Sequence, residues 1–297
     1  MKKTNVRKAV NIHLCAIVLL CISPVALAEW FSDADAGIRH DSNINNAQMS
    51  PDILSASALL AGVSATGYFP LENGNSVSVT GEARGESYDC YTGLNNISLG
   101  ATLALRKKWA LGPFAPWTGL SFSSAHLNYA NNIRNGWRHQ VVIRGGERVS
   151  ERLKVRGEYM YERRTANTLA PDQPGISGDT FSQKNHSLTL NTEYTLDESI
   201  FLTGGVLLRR GDVVATASET ANMIASSEAI SADLVFGNPH LYAYKLNGTT
   251  HGLDLGFNVA IARNHLLRVS ISRFLTHTTG DNNYAKTVQM VSWNYDF

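Results

Sequence analysis

Cysteine is nearly absent from this chain: three residues in 297, at positions 15, 21 and 90. The first two lie in the opening stretch MKKTNVRKAVNIHLCAIVLLCISPVALAEW. There Lys2, Lys3, Arg7 and Lys8 form a basic start, and Ile12 to Ile22 supply an apolar centre. Ala26-Leu27-Ala28 follows Pro24 as a small-residue cleavage site. The apolar centre is shorter than the roughly 20 residues a spanning helix needs. Cys21 follows Leu19 and Leu20, where lipid attachment calls for a small residue. The expectation is a cleaved signal peptide over 1–28, with the mature chain at 29–297. Cys90 is then alone, which excludes an internal disulfide.

Long hydrophobic runs are missing too. Beyond residue 28 nothing approaches 18 consecutive apolar residues, so helical membrane spans are excluded. An excess of one charge is also lacking: 26 Lys and Arg stand against 25 Asp and Glu. Four of those cations and no acid lie in the leader, leaving 22 against 25. That is not the balance of a nucleic-acid binder. The histidines His126, His186, His240, His251, His265 and His277 show no metal-ligand spacing. Neither a metal nor another cofactor is expected.

What the chain has is alternation with period two, the signature of strands with two unlike faces. In 75–88, Val77, Val79, Gly81, Ala83 and Gly85 alternate with Ser78, Thr80, Glu82, Arg84 and Glu86. The pattern returns from the first strand (33–44) to the last (285–297). It predicts about twelve strands, with short connections after strands two, four, six, eight and ten and longer ones elsewhere. The longest connection is 214–248, which the pattern leaves as a loop. Alternating short turns and long loops predict an all-β, antiparallel, up-and-down barrel across a membrane, with both termini on the short-turn side.

The last strand, AKTVQMVSWNYDF, puts Trp293, Tyr295 and Phe297 on one face. Such an aromatic-ended strand resembles those of bacterial outer-membrane β-barrel proteins. The resemblance implies that Trp293, Tyr295 and Phe297 are the signal read by the barrel-assembly machinery. It also implies a Gram-negative outer-membrane location. In such a barrel the apolar face meets lipid and the polar face lines the lumen. Trp109 and Trp293 are expected in one aromatic girdle, and Trp137 and Tyr161 toward the outer rim.

The expected lumen-lining set carries both signs: Glu82, Arg84, Glu86, Arg106, Lys108, Arg138, Arg144, Lys154, Arg156, Glu158, Glu193, Arg209, Asp254 and Arg268. The cation excess on strands four, six and seven points to anionic solutes. In this design the chain is similar to the small twelve-stranded porins for acidic oligosaccharides. Mutually neutralising charges that hold the barrel shape are the competing expectation. Arg163, Arg210 and Arg273 break the apolar parity near the loop ends. Snorkelling rim charges without a specific ligand are one expectation; contacts with outer-membrane lipid or lipopolysaccharide phosphates, which guanidinium binds in a bidentate manner, are the other.

A second resemblance is local. Gly37-Ile38-Arg39-His40-Asp41-Ser42-Asn43-Ile44-Asn45-Asn46-Ala47 looks like the first barrel strand of surface lipoprotein assembly modifiers. The helical repeat domain that precedes the barrel in those proteins has no counterpart here. Catalysis is not expected. His40 and Asp41 are adjacent and point to opposite faces. His139 on strand six, with Ser121 or Ser123 on strand five, is the one conceivable His–Ser contact. The sequence therefore reads as a passive channel or porin for small polar or anionic solutes. A structural, adhesion or lipoprotein-export barrel is the alternative, and a lipid-modifying enzyme comes third.

Overall fold

The computed structural model describes residues 29–297 apart from 170, 172 and 173. The expected signal peptide therefore lies outside the described residues. Twelve strands close into one antiparallel cylinder. They are β1 (Glu29–Asp41), β2 (Ala56–Pro70), β3 (Asn75–Tyr88), β4 (Asn96–Lys108), β5 (Trp117–Tyr129), β6 (Gly136–Arg148), β7 (Leu153–Ala166), β8 (Gln183–Asp197), β9 (Ile200–Ser218), β11 (Leu241–Ala262), β12 (His265–Thr278) and β13 (Tyr284–Asp296). The sheet closes where β1 pairs with β13, Asp33 opposite Asp296, and Phe297 N donates to Ser32 O at 2.9 Å. Closure removes the open edge between β1 and β13, as a sheet in lipid requires.

The register sorts side chains onto two faces. One row runs Phe257, Val269, Val291, Ile38, Leu59 across β11, β12, β13, β1 and β2. Another runs Leu103, Phe122, Val141, Tyr161 across β4 to β7. Apolar side chains of this parity stand exposed around the whole circumference, Leu59 and Ile97 at 62% each. On a water-soluble protein such a belt would be an aggregation surface; on a closed barrel it is the lipid-facing band. The aromatic ladder at the end of β13 belongs to it, with Trp293, Tyr295 and Phe297 packing ring on ring beside His265.

The opposite face points inward and is polar. Arg84 on β3 reaches Asp35 on β1 at 3.6 Å, over the intervening β2. Gly62 permits this, because a Cβ there would stand 2.6 Å from Asp35 Oδ1. Two side chains meeting over a middle strand must share one face. The inside of this barrel is therefore charged, and its two buried apolar clusters sit at one end instead.

That end is where the structure departs from the sequence pattern. Residues 214–248 are not one loop. β9 continues to Ser218 and β11 begins at Leu241, so the two extend past the wall as a paired hairpin. Gly211, at φ 141°, marks the departure; a side chain there would meet Lys184 O. The connection between them holds helix α1 (Ala221–Ser226) and a thirteenth strand, β10 (Ala229–Ala232), added to β11. The hairpin pattern was hidden because residues 212, 213 and 215–217 are all buried, which erases the two-faced alternation. Ala215, Ala217, Met223, Ile230, Tyr244 and Leu246 pack with Ala47 from the β1–β2 connection. Leu94, Phe236 and Leu241 form the second cluster. β1 also ends at Asp41, earlier than the pattern predicts, so 42–47 folds over the barrel end. Together these segments make a roof. The loop asymmetry is weaker than expected, since the short-turn connection 109–116 outlasts 130–135 at the roofed end.

Candidate functional site: a divided, charged lumen

The fourteen expected lumen residues share one parity, but they fall into separate groups. At the short-turn end lies a chamber of about 860 Å³. Arg106, Lys108, Arg148, Lys154, Arg156 and Arg268 line it, with Glu193 and Asp254 among the acids. Lys154 pairs with Glu193 at 2.6 Å, and Asp254 accepts from Ser272 at 2.6 Å. Arg268 donates to Asn258 at 3.1 Å. Arg106 lies over the Trp117 ring at 4.6 Å, a cation–π contact that holds the guanidinium without neutralising it. Among the described residues Arg106, Lys108, Arg148 and Arg156 have no ion-pair partner.

Toward the roof a second chamber holds about 540 Å³. Arg209 is the one expected residue in its lining; Arg39, Arg134, Arg164 and Lys286 join it with Tyr129, Phe181 and Tyr284. Arg39 pairs with Glu86 at 3.0 Å, and Lys286 with Asp41 at 3.0 Å. Arg164 rests over Tyr129 and donates to Arg134 O at 2.8 Å, with no ion-pair partner among the described residues. Val288 borders both chambers.

The remaining expected residues sit on the walls. Over β1–β3, Arg84 pairs with both Asp35 and Glu82, and Arg39 pairs separately with Glu86. Arg144 lies 3.6 Å from Glu158 between β6 and β7, and Arg138 stands opposite Arg164. The charges are thus unevenly placed. On β1 to β3 the acids Asp33, Asp35, Asp41, Glu82 and Glu86 outnumber Arg39 and Arg84. On β4 to β7 the cations Arg106, Lys108, Arg138, Arg144, Arg148, Lys154, Arg156 and Arg164 outnumber Glu158 and Glu162. One arc of the wall is acidic and the arc that adjoins it basic.

The roof is bonded across the barrel end. Asn45 Nδ2 donates to Thr216 O at 2.7 Å and Asn46 Nδ2 to Val214 O at 2.8 Å. Arg134 bridges to the fully buried Asp233 at 2.6 Å, and Thr216 Oγ1 donates to the same carboxylate. Sequence reading could not find Arg134, Phe181 or Asp233, because they lie in connections where no period reveals a facing. Arg39 was visible on the polar face of β1, and only its reach to Glu86 was not.

On the outward face Arg163 stands opposite Lys184, Arg210 opposite His186, and Arg273 donates to Thr287 Oγ1 at 2.8 Å. The three expected lipid contacts are therefore dispersed around the circumference. The conceivable His139–Ser contact does not form: His139 faces outward, stacked with Phe122 and Trp137, while Ser121 and Ser123 face the lumen. A different histidine meets a serine. His40 Nδ1 lies 3.1 Å from Ser57 Oγ on the outward face, with no carboxylate hydrogen-bonded to His40 among the described residues.

No family model matches the chain, and no curated protein matches it. An outer-membrane channel from Pseudomonas putida F1 superposes on 93% of this chain and 100% of its own, with TM-score 0.57 and 9% identity. The translocator domain of autotransporter NalP from Neisseria meningitidis covers 98% of this chain and 96% of its own, with TM-score 0.45 and 11% identity. The KdgM porin in complex with disordered oligogalacturonate covers 89% and 99%, with TM-score 0.41 and 14% identity. The likeness to the first establishes the fold as that of outer-membrane β-barrels.

Proposed function

We propose that this chain is a passive outer-membrane channel for small polar solutes, with a preference for anions. The observation that carries the reading is the 860 Å³ chamber, where Arg106, Lys108, Arg148 and Arg156 have no ion-pair partner among the described residues and cations outnumber the acids Glu147, Glu193 and Asp254. Cations lining a narrow aqueous path lower the energy of an anion there and raise that of a cation. Trp117 beneath Arg106 adds an apolar face on which the ring of a solute can rest. The likeness to an outer-membrane channel at TM-score 0.57 supports the same class.

In this reading the leader is removed after Ala28, the short turns lie in the periplasm and the roof faces outside. Outer-membrane lipid, lipopolysaccharide and the assembly machinery are the partners, and the protein is not an enzyme. Single-channel current of the refolded mature protein, with reversal potential under a salt gradient, is the test. Steady conductance with anion preference supports the proposal; its absence, even when the roof is loosened, sinks it.

The roof itself favours a second reading. A barrel end cross-linked by a buried ion pair and several hydrogen bonds suits a non-transport barrel whose lumen charges are structural. That protein would conduct neither with the roof nor without it.

A further inference from the structure

We propose that a trough on the outward face of β11, β12, β13 and β1 is a specific site for one phosphorylated, multiply acylated glycolipid of the outer leaflet, the lipid A part of lipopolysaccharide. The proposal rests on the membrane-barrel reading above and not on conduction. The trough holds about 740 Å³. Leu255 and Phe257 on β11 form one wall, Ile38 and His40 on β1 the other, and the smaller Val269 and Val291 the floor. Three strand spacings separate the walls, about 14 Å, which is room for acyl chains lying along the strands.

The trough is not apolar throughout. Gln289 and His40 are direct neighbours on β13 and β1, and His40 meets Ser57 at 3.1 Å on β2. This gives a polar row at the end of the trough nearest the roof. Polar side chains in a lipid-facing belt are costly unless something satisfies them. One row further toward the roof, about 7 Å along the strands, Arg273 stands beside Thr287, and Thr287 N donates to Ser42 Oγ at 2.9 Å. Arg273 is exposed, held by Thr287 at 2.8 Å, and has no ion-pair partner among the described residues.

From the roof downward the order is thus cation, hydrogen-bonding row, apolar trough. Lipid A presents phosphate, then amide, ester and hydroxyl groups on its chains, then hydrocarbon. Arg273 matches the phosphate through charge-assisted hydrogen bonds. Gln289, His40 and Ser57 match the oxygens beneath it. Arg163 and Arg210 are also exposed on the outward face, but they stand on β7 and β9, away from this trough.

The test uses full-length mature barrel extracted from outer membranes in mild detergent, with retained lipid counted by native mass spectrometry after a delipidating wash. The wild type is expected to keep about one glycolipid per barrel. Arg273→Gln removes the cation, and Val291→Trp fills the floor without changing charge. Each is expected to lower retention roughly tenfold, the change that about 1.4 kcal/mol represents. Arg163→Gln should leave retention at the wild-type level, and heat-modified gel migration reports whether each variant is folded. Unchanged retention in both folded trough variants overturns the proposal. So does an equal loss in Arg163→Gln, retention of glycerophospholipid alone, or a second copy of the chain on this face. Arg273→Gln and Val291→Trp should leave single-channel current unaltered, so failure here and failure of the channel reading are separate results.

Discussion

Asn45 and Thr216, 171 positions apart, bind each other twice: Thr216 N donates to Asn45 O at 2.7 Å, and Asn45 Nδ2 donates to Thr216 O at 2.7 Å. The same Asn45 amide donates to Asp52 O and accepts from Leu54 N. One buried side chain therefore ties the β1–β2 connection to the β9–β11 hairpin. Asn45→Ala leaves these buried groups without partners, at about 1–3 kcal/mol for each. The expected result is larger or flickering single-channel current, with the β-sheet circular dichroism of the barrel preserved.

Arg134 and Asp233 make the second tie. Removing one partner of a buried pair costs roughly 3–5 kcal/mol, because the other charge stays buried alone. Asp233→Ala should expose 219–240 to proteases added outside intact cells, while the wild type resists under the same conditions. Equal resistance would mean that this ion pair does not hold the roof.

Charge reversal at the short-turn end should change selectivity. Arg106→Glu and Arg156→Glu place acids where the chamber now has unpaired cations, and reversal potentials should move toward cation preference. The shift should be large near 0.1 M salt, where screening extends about 10 Å, and small at 1 M, where it is about 3 Å. Arg144→Glu, at a position already paired with Glu158, should move selectivity less.

Cys90 lies exposed in the connection between β3 and β4, at the roofed end. A membrane-impermeant maleimide should label it on intact cells if that end faces outward. The charge of neighbouring Asp89, together with a hydrogen bond to it, pushes the thiol above its ordinary range. A raised value means less thiolate at neutral pH, so labelling should be slower than for a free thiol and climb steeply as the solution becomes alkaline. Asp89→Asn should speed labelling at neutral pH.

Gly62 carries a prediction on the wall. Gly62→Val puts a side chain where Asp35 now leans toward Arg84. Overpacking of this kind typically costs 1–3 kcal/mol, read as a lower denaturant midpoint for barrel unfolding. Gly81→Val, on the outward face of β3 with open space around it, should be tolerated.

The wall was legible because period two is the plainest pattern a chain can carry, and β3 runs over the residues expected, 75–88. Lumen facing followed from parity alone, so Glu82 through Arg268 all point inward. The roof was illegible for the same reason. Val213, Ala215, Ala217, Tyr244 and Leu246 are buried among folded connections, so no lipid face contrasts with a water face. Contacts such as Arg134 to Asp233 depend on which connections meet over the end, and spacing along the chain does not encode that. His40 was set aside because Asp41 points the other way; its actual neighbour, Ser57, comes from register between strands.

The unlike arcs of the inner wall have one more effect. With acids gathered on β1 to β3 and cations on β4 to β7, the lumen holds an electric field directed across the path rather than along it. A permeating molecule bearing both a positive and a negative group feels a torque. It will travel broadside, its anionic end turned to Arg106 and Arg156. A solute with a single charge is drawn to one wall and leaves the other half of the bore to water. The barrel would then discriminate by molecular dipole as well as by size and net charge, sorting isomers that differ only in where their charges sit.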